Sequence, residues 1–182
     1  MAEIIHILDK DFEISINHET IQEKIKAVAA KLDKDYAGKN PIMICILNGA
    51  FVFAADLARY ITTFQPELLF AKFSSYDGTE TTGKVKELIG VNADLNGRDV
   101  IIVEDIVDTG ITMADIIPTI KNLGAKTVSV CTLLTKPEKL QVNLKIDYAA
   151  MEIPNDFIVG YGLDYDGYGR NYKDIYKIVN SK

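Results

Sequence analysis

Residues 100–113 read VIIVEDIVDTGITM, and the fold class turns on how that stretch is parsed. Val100-Ile101-Ile102-Val103 is an apolar run long enough for a strand buried on both faces, as the strands of a parallel sheet are. The chain then turns acidic at Glu104, Asp105 and Asp108. It runs through Asp108-Thr109-Gly110-Ile111-Thr112 into a helical pattern over Met113–Leu123 that Gly124 stops. Pro118 inside that pattern is expected to kink the helix or loosen one turn. A buried strand feeding a hydroxyl-rich glycine turn and a helix start makes an anion cradle. The free N–H groups and the helix dipole point at the ligand, and Gly110 lets the backbone approach it closely. Carboxylates beside a phosphate repel it, unless the ligand also carries a diol and a divalent cation. Glu104 and Asp105 would then accept from ribose hydroxyls or face Mg²⁺, while the backbone and hydroxyls after Asp108 take the phosphate.

Composition narrows the class. Residues 1–182 fit one domain with an ample core, since about 100–200 residues make a typical domain. The 48% hydrophobic and 25% charged content is that of a globular protein. A net charge of −6 argues against a general nucleic-acid or anionic-membrane binder, so any phosphate site must be local. No apolar run approaches the roughly 18–20 residues of a membrane span, and charges interrupt the N-terminus too early for a signal peptide. Cys45 and Cys131 lie in apolar runs, where a small buried thiol is expected, and nothing suggests an oxidising compartment or a CxxC metal site. With only His6 and His18, neither a His-activated nucleophile nor a multi-His metal site is expected. The cytoplasm is the expected location.

Outward from the central stretch, strands and helices alternate. Phe12–Ile16 alternates as a half-exposed strand would, and Asn17 can cap a helix whose stripe is Ile21, Ile25, Val28, Ala29 and Leu32. Pro41–Leu47 is a strand that runs into Asn48-Gly49-Ala50 and a second helix, another glycine turn at a helix start. Leu68–Ser74 is a strand, followed by a polar, threonine-rich stretch from Ser75 and Tyr76 to Glu87. Within it Gly78–Lys84 fits the start of a Walker A loop, but Val85 stands where that loop needs a hydroxyl, and too few residues precede Gly90 for its helix. Lys126–Leu134 is a strand emptying into Thr135-Lys136-Pro137, and Ile146–Ile153 is one more. The stretch Asn155–Tyr172 packs tyrosines among glycines and acids; its Asp164–Gly167 hints at a calcium loop but lacks the spacing and terminal Glu of an EF-hand. Ile175–Val179 reads as a closing strand. The architecture expected is a single α/β domain, a mainly parallel sheet flanked by helices with a small cap from the chain ends.

The segment VEDIVDTGITM resembles the phosphoribosyl-pyrophosphate (PRPP) loop of the type I phosphoribosyltransferases, most closely that of their hypoxanthine(-guanine) branch. The resemblance runs in order from about Ile42 to Tyr172, with FIVGYGLDY its second most specific part. It implies transfer of the ribosyl phosphate of PRPP to a 6-oxopurine, giving a nucleoside monophosphate and pyrophosphate, with Mg²⁺ as cofactor. It implies that Glu104, Asp105, Asp108, Thr109, Gly110, Ile111 and Thr112 bind PRPP, with Asp108 the general base toward the purine. Asn48 and Gly49 would form a pyrophosphate loop, although the family often has Lys where this chain has Asn48, and Arg170 would reach pyrophosphate as well. Lys136 would donate to the purine 6-oxygen, Phe157 would stack on the base, and the Ile158 backbone would meet its edge. Asp164 would lie near a second Mg²⁺ beside the purine segment. Ser75 and Tyr76 would open a mobile lid, and the protein would assemble as a homodimer or homotetramer.

Two rivals come from other classes. Asp108-Thr109-Gly110 is also the signature tripeptide of aspartic proteases, but those place it in an all-β fold and need a second carboxylate from a dimer partner. A regulator that keeps the fold to sense a nucleotide or bind RNA is opposed by the acidic charge and the full set of site residues.

Overall fold

In the computed structural model, residues 4–74 and 86–179 are described. The N-terminal alternation becomes an antiparallel hairpin, β1 (Ile4–Ile7) and β2 (Lys10–Ile16). Asn17 caps α1 (His18–Tyr36), its side-chain oxygen accepting from the Thr20 amide at 2.9 Å. There follow β3 (Ile42–Ile46), α2 (Phe51–Tyr60), β4 (Glu67–Ser74) and β5 (Lys86–Ile89). Next come β6 (Asp99–Val107), α3 (Ile111–Asn122) and β7 (Thr127–Thr135), then β8 (Tyr148–Glu152), β9 (Ile158–Val159) and β10 (Ile175–Ile178).

The main sheet has the order β5-β4-β3-β6-β7-β8; β5 is its antiparallel edge and the other neighbours pair in parallel. Both faces are covered, which explains the unbroken apolar runs of the central strands. Met43, Cys45, Ile101 and Val103 pack with α1 and α2, whereas Ile42, Ile44, Val100 and Ile102 pack with Met113, Ile116 and Ile120 of α3. A slip of one residue would exchange those two sets, so the register is strongly specified. β3 leads to a helix on one face and its neighbour β6 to a helix on the other. The chain order reverses between them, which opens a crevice at their carboxyl ends, the usual ligand position in such sheets.

The chain ends build the cap as a separate four-stranded sheet of order β1-β2-β10-β9, antiparallel throughout. Phe12, Ile7, Val159 and Tyr176 form its own small core. One local expectation fails. α3 starts at Ile111, two residues before the apolar pattern, and runs unbroken through Pro118. Ile116 and Ile120, buried on either side of that proline, hold the helix on the sheet, and the Thr119 hydroxyl donates to the Asp115 carbonyl at 2.9 Å.

Candidate active site

The first part of the site grows from the end of β6. Gly110 adopts φ +80, turns the chain and stands at the N-cap of α3. A Cβ there would press on Val142 and Leu140 as well as strain the backbone, so glycine is required. No acidic residue sits in the first turn of α3, so nothing there competes with an anion for the helix's free N–H groups. The cavity over this turn is about 250 Å³ and is lined by Glu104, Val107, Asp108, Thr109, Gly110 and Thr112. Ile111 is exposed at its edge.

Two carboxylates lie under the cradle. Glu104 is 8% exposed and accepts from its neighbour's amide, Asp105 N at 3.1 Å, while Asp105 accepts from Ile106 N at 2.7 Å. Burial pushes the Glu104 carboxyl well above the usual carboxylate range, and the charge of Asp105 pushes it further. Burial also raises Asp105, against its hydrogen bonds and the nearby Arg170 guanidinium. Gly49 packs so closely on the Asp105 carboxylate that any Cβ would collide with it. Such a pair of hard oxygen donors, short of cationic partners, suits Mg²⁺, which binds through one or two carboxylates together with substrate phosphates and water. Glu104 and Asp105 would hold the ion. Asp164 was expected near a second Mg²⁺, and among the described residues no three His, Cys, Asp or Glu side chains form a ready-made metal cluster. The Asp164 carboxylate pairs with Arg170 Nη2 at 2.7 Å and accepts from Gly167 N at 2.7 Å.

On the other side of the cradle Asp108 faces two lysines. Its Oδ2 lies 3.2 Å from Lys139 Nζ and 3.6 Å from Lys136 Nζ, while Oδ1 is buried without a hydrogen-bond partner. Lys136 is only 6% exposed and donates to the Asp156 carbonyl at 2.8 Å, which ties the end of β7 to the residue before Phe157. Asp108 sits between a parallel strand and a helix, not in the all-β setting where proteases carry this tripeptide. Lys139 escaped the sequence reading. Its signal was present in Lys136-Pro137-Glu138-Lys139, where the proline starts a 3-10 turn that returns the third residue to the same side.

Phe157 is 44% exposed, its ring held edge-on by Tyr165 at 5.7 Å and backed by Phe12 at 6.1 Å. Tyr165 in turn donates to Asp9 Oδ1 at 2.7 Å, from the turn between β1 and β2. Ile158 is buried in β9. Arg170 donates through Nη1 to the Gly162 carbonyl at 2.8 Å. Gly162, at φ +100, backs onto the Gly49 carbonyl so tightly that a Cβ would clash. Asn48 is exposed at that loop, after a cis Leu47–Asn48 peptide. Gly49, Asp105, Asp164 and Arg170 thus form one group, Asp108, Lys136 and Lys139 another, and Phe157 presents a free ring. Ser75, Tyr76 and the proposed lid lie outside the described residues.

An anion cradle and a buried acid pair at the crevice of a parallel sheet agree with the family match. Residues 15–166 fit the phosphoribosyl transferase domain, and the chain belongs to that family. Among its relatives is the hypoxanthine-guanine phosphoribosyltransferase of Streptococcus thermophilus, 44% identical over 167 residues that span 91% of this chain and 92% of that one. A solved hypoxanthine-guanine phosphoribosyltransferase from Bacillus anthracis superposes with a TM-score of 0.86 at 40% identity, covering 92% of this chain and 97% of that one. A hypoxanthine phosphoribosyltransferase from Staphylococcus aureus gives 0.87 at 35% identity, covering 92% of this chain and 91% of that one.

Proposed function

We propose that this chain transfers the 5-phosphoribosyl group of PRPP to a 6-oxopurine, hypoxanthine or guanine, forming IMP or GMP and pyrophosphate in purine salvage. One observation carries the reading: a phosphate cradle and a buried lysine meet at a single carboxylate, Asp108. The backbone and hydroxyls of Thr109–Thr112 take the 5′-phosphate. Glu104 and Asp105 accept from the ribose hydroxyls and hold Mg²⁺, which when bound offsets the charge that grows on the leaving pyrophosphate. Arg170 and the Asn48-Gly49 backbone bind that pyrophosphate, and Asp164 orients Arg170 through their ion pair. Phe157 stacks on the base, the Ile158 backbone meets its edge, and Lys136 donates to its 6-oxygen. Asp108 removes the ring proton as the ribose takes on oxocarbenium character. The enzyme would work in the cytoplasm as a homodimer or homotetramer. The acidic net charge supports leaving nucleic acid and anionic membranes out of the scheme.

The test is direct. Purified protein incubated with PRPP, Mg²⁺ and one base at a time should form monophosphate from hypoxanthine, guanine or both. No nucleotide from any purine would overturn the reading.

A further inference from the structure

Tyr161 lies between Gly160 at φ +99 and Gly162 at φ +100, and is itself left-handed at φ +50. Glycine adopts such angles freely; a tyrosine does so only where its surroundings hold it. The ring is packed in the main hydrophobic core, and its hydroxyl meets polar groups from two helices. The ring is 2% exposed, and its hydroxyl donates to Asp56 Oδ2 on α2 and accepts from Gln22 Nε2 on α1 at 3.1 Å. Gln22 Nε2 also donates to Asp56 Oδ2 at 2.9 Å, and the Tyr60 hydroxyl donates to Gln22 Oε1 at 2.8 Å. Arg59 pairs with the other Asp56 oxygen at 3.0 Å. Burial and then Asp56 push the Tyr161 phenol far above its ordinary pKa, so it stays a donor.

The next residue is where this network meets the site. Gly162 touches both groups assigned to pyrophosphate: its Cα is pressed on the Gly49 carbonyl, and its own carbonyl receives Arg170 Nη1. α2 begins at Phe51, directly beyond the Asn48-Gly49-Ala50 turn, so Asp56 on that helix and Tyr161 beside Gly162 join the two sides of the contact a second time. We infer that Tyr161 and Asp56 are positioning residues for the leaving pyrophosphate, fixing the spacing between the Gly49 backbone and Arg170 without touching substrate. The inference rests on the pyrophosphate roles proposed above for Gly49 and Arg170.

The reverse reaction, with IMP and pyrophosphate as substrates, isolates the effect. Tyr161→Phe keeps the ring and removes the hydroxyl. It should raise the KM for pyrophosphate about ten- to fifteenfold, near the lower end of the range for losing a hydrogen bond to a charged group. The KM for IMP should stay within about twofold, because uniform binding elsewhere is untouched. Asp56→Ala should do the same, and the double variant should be no worse than either single one, since both break one link. Gln22→Leu should give a smaller shift of the same sign, which keeps the test decisive should a larger change prevent folding. Equal rises in both KM values, or an unchanged pyrophosphate KM in folded variants, would overturn the inference while leaving the transferase reading intact. A wild-type protein that makes no nucleotide would refute the transferase reading itself, and this inference with it.

Discussion

The two oxygens of Asp108 have different surroundings, and that asymmetry makes it the sharpest test among single residues. Oδ2 is engaged by Lys139 and Lys136, while Oδ1 is buried with no partner among the described residues and is the oxygen the proposed base role would use. Asp108→Asn keeps the size and removes the basic oxygen. General-base catalysis is worth about 10²–10⁴-fold, so steady-state kinetics should show kcat falling by that much with the PRPP KM little changed. A loss below about threefold would return Asp108 to a structural part of the loop. At this scale the sequence was readable where neighbours along the chain do the work together, as in Glu104 to Thr112. It was silent on Tyr165 and Tyr161, whose partners Asp9 and Asp56 are 156 and 105 residues away.

Elements were legible in proportion to how local their causes are. The strand-turn-helix of β6 and α3 follows from an apolar run, one glycine and a repeat, whereas two-residue β9 exists only because β10 pairs with it. Likewise, the clasp between α1 and the end of α2 leaves no pattern in the chain. Asp33 accepts from the Thr62 and Thr63 amides, each at 3.0 Å, and from both hydroxyls at 2.8 and 2.9 Å. Burial pushes its carboxyl up, but these hydrogen bonds outweigh it and hold the pKa below 3.8. A depressed folded pKa means that the contribution is complete above the unfolded value and is lost as pH falls through the folded one. Asp33→Ala should therefore lower stability at pH 7 by about 1 kcal/mol, or about 2–4 °C in Tm for a chain of this size. Thermal unfolding should show that gap narrowing as the pH drops below about 3.8, the ordinary pKa of an aspartate. A gap unchanged at the lowest pH would assign the effect to packing alone.

Across the whole molecule the charge balance makes its own demand. A chain of net charge −6 is asked to hold PRPP beside two buried acids whose protonation is favoured by burial and, for Glu104, by the charge of Asp105. Only a cation or a diol makes that arrangement compatible with a phosphate ligand. Turnover should vanish in excess EDTA and return with added Mg²⁺; unchanged turnover would refute the assignment of Glu104 and Asp105. The parallel sheet was visible in the sequence because its strands are apolar on both faces. A cap from the chain ends was expected as well, from an alternating run at Phe12–Ile16 and a closing strand at Ile175–Val179, but its strand order was not legible, because it is set by pairing across most of the chain.

That pairing also sets a timetable. β2 is synthesised well before its partner β10, so the cap sheet closes only once β10 has been made. β6, the glycine turn and α3 emerge well before then and need no partner from the cap for their own hydrogen bonds. A product terminated between β8 and β10 would contain β6, the glycine turn and α3 without a secured platform for the base.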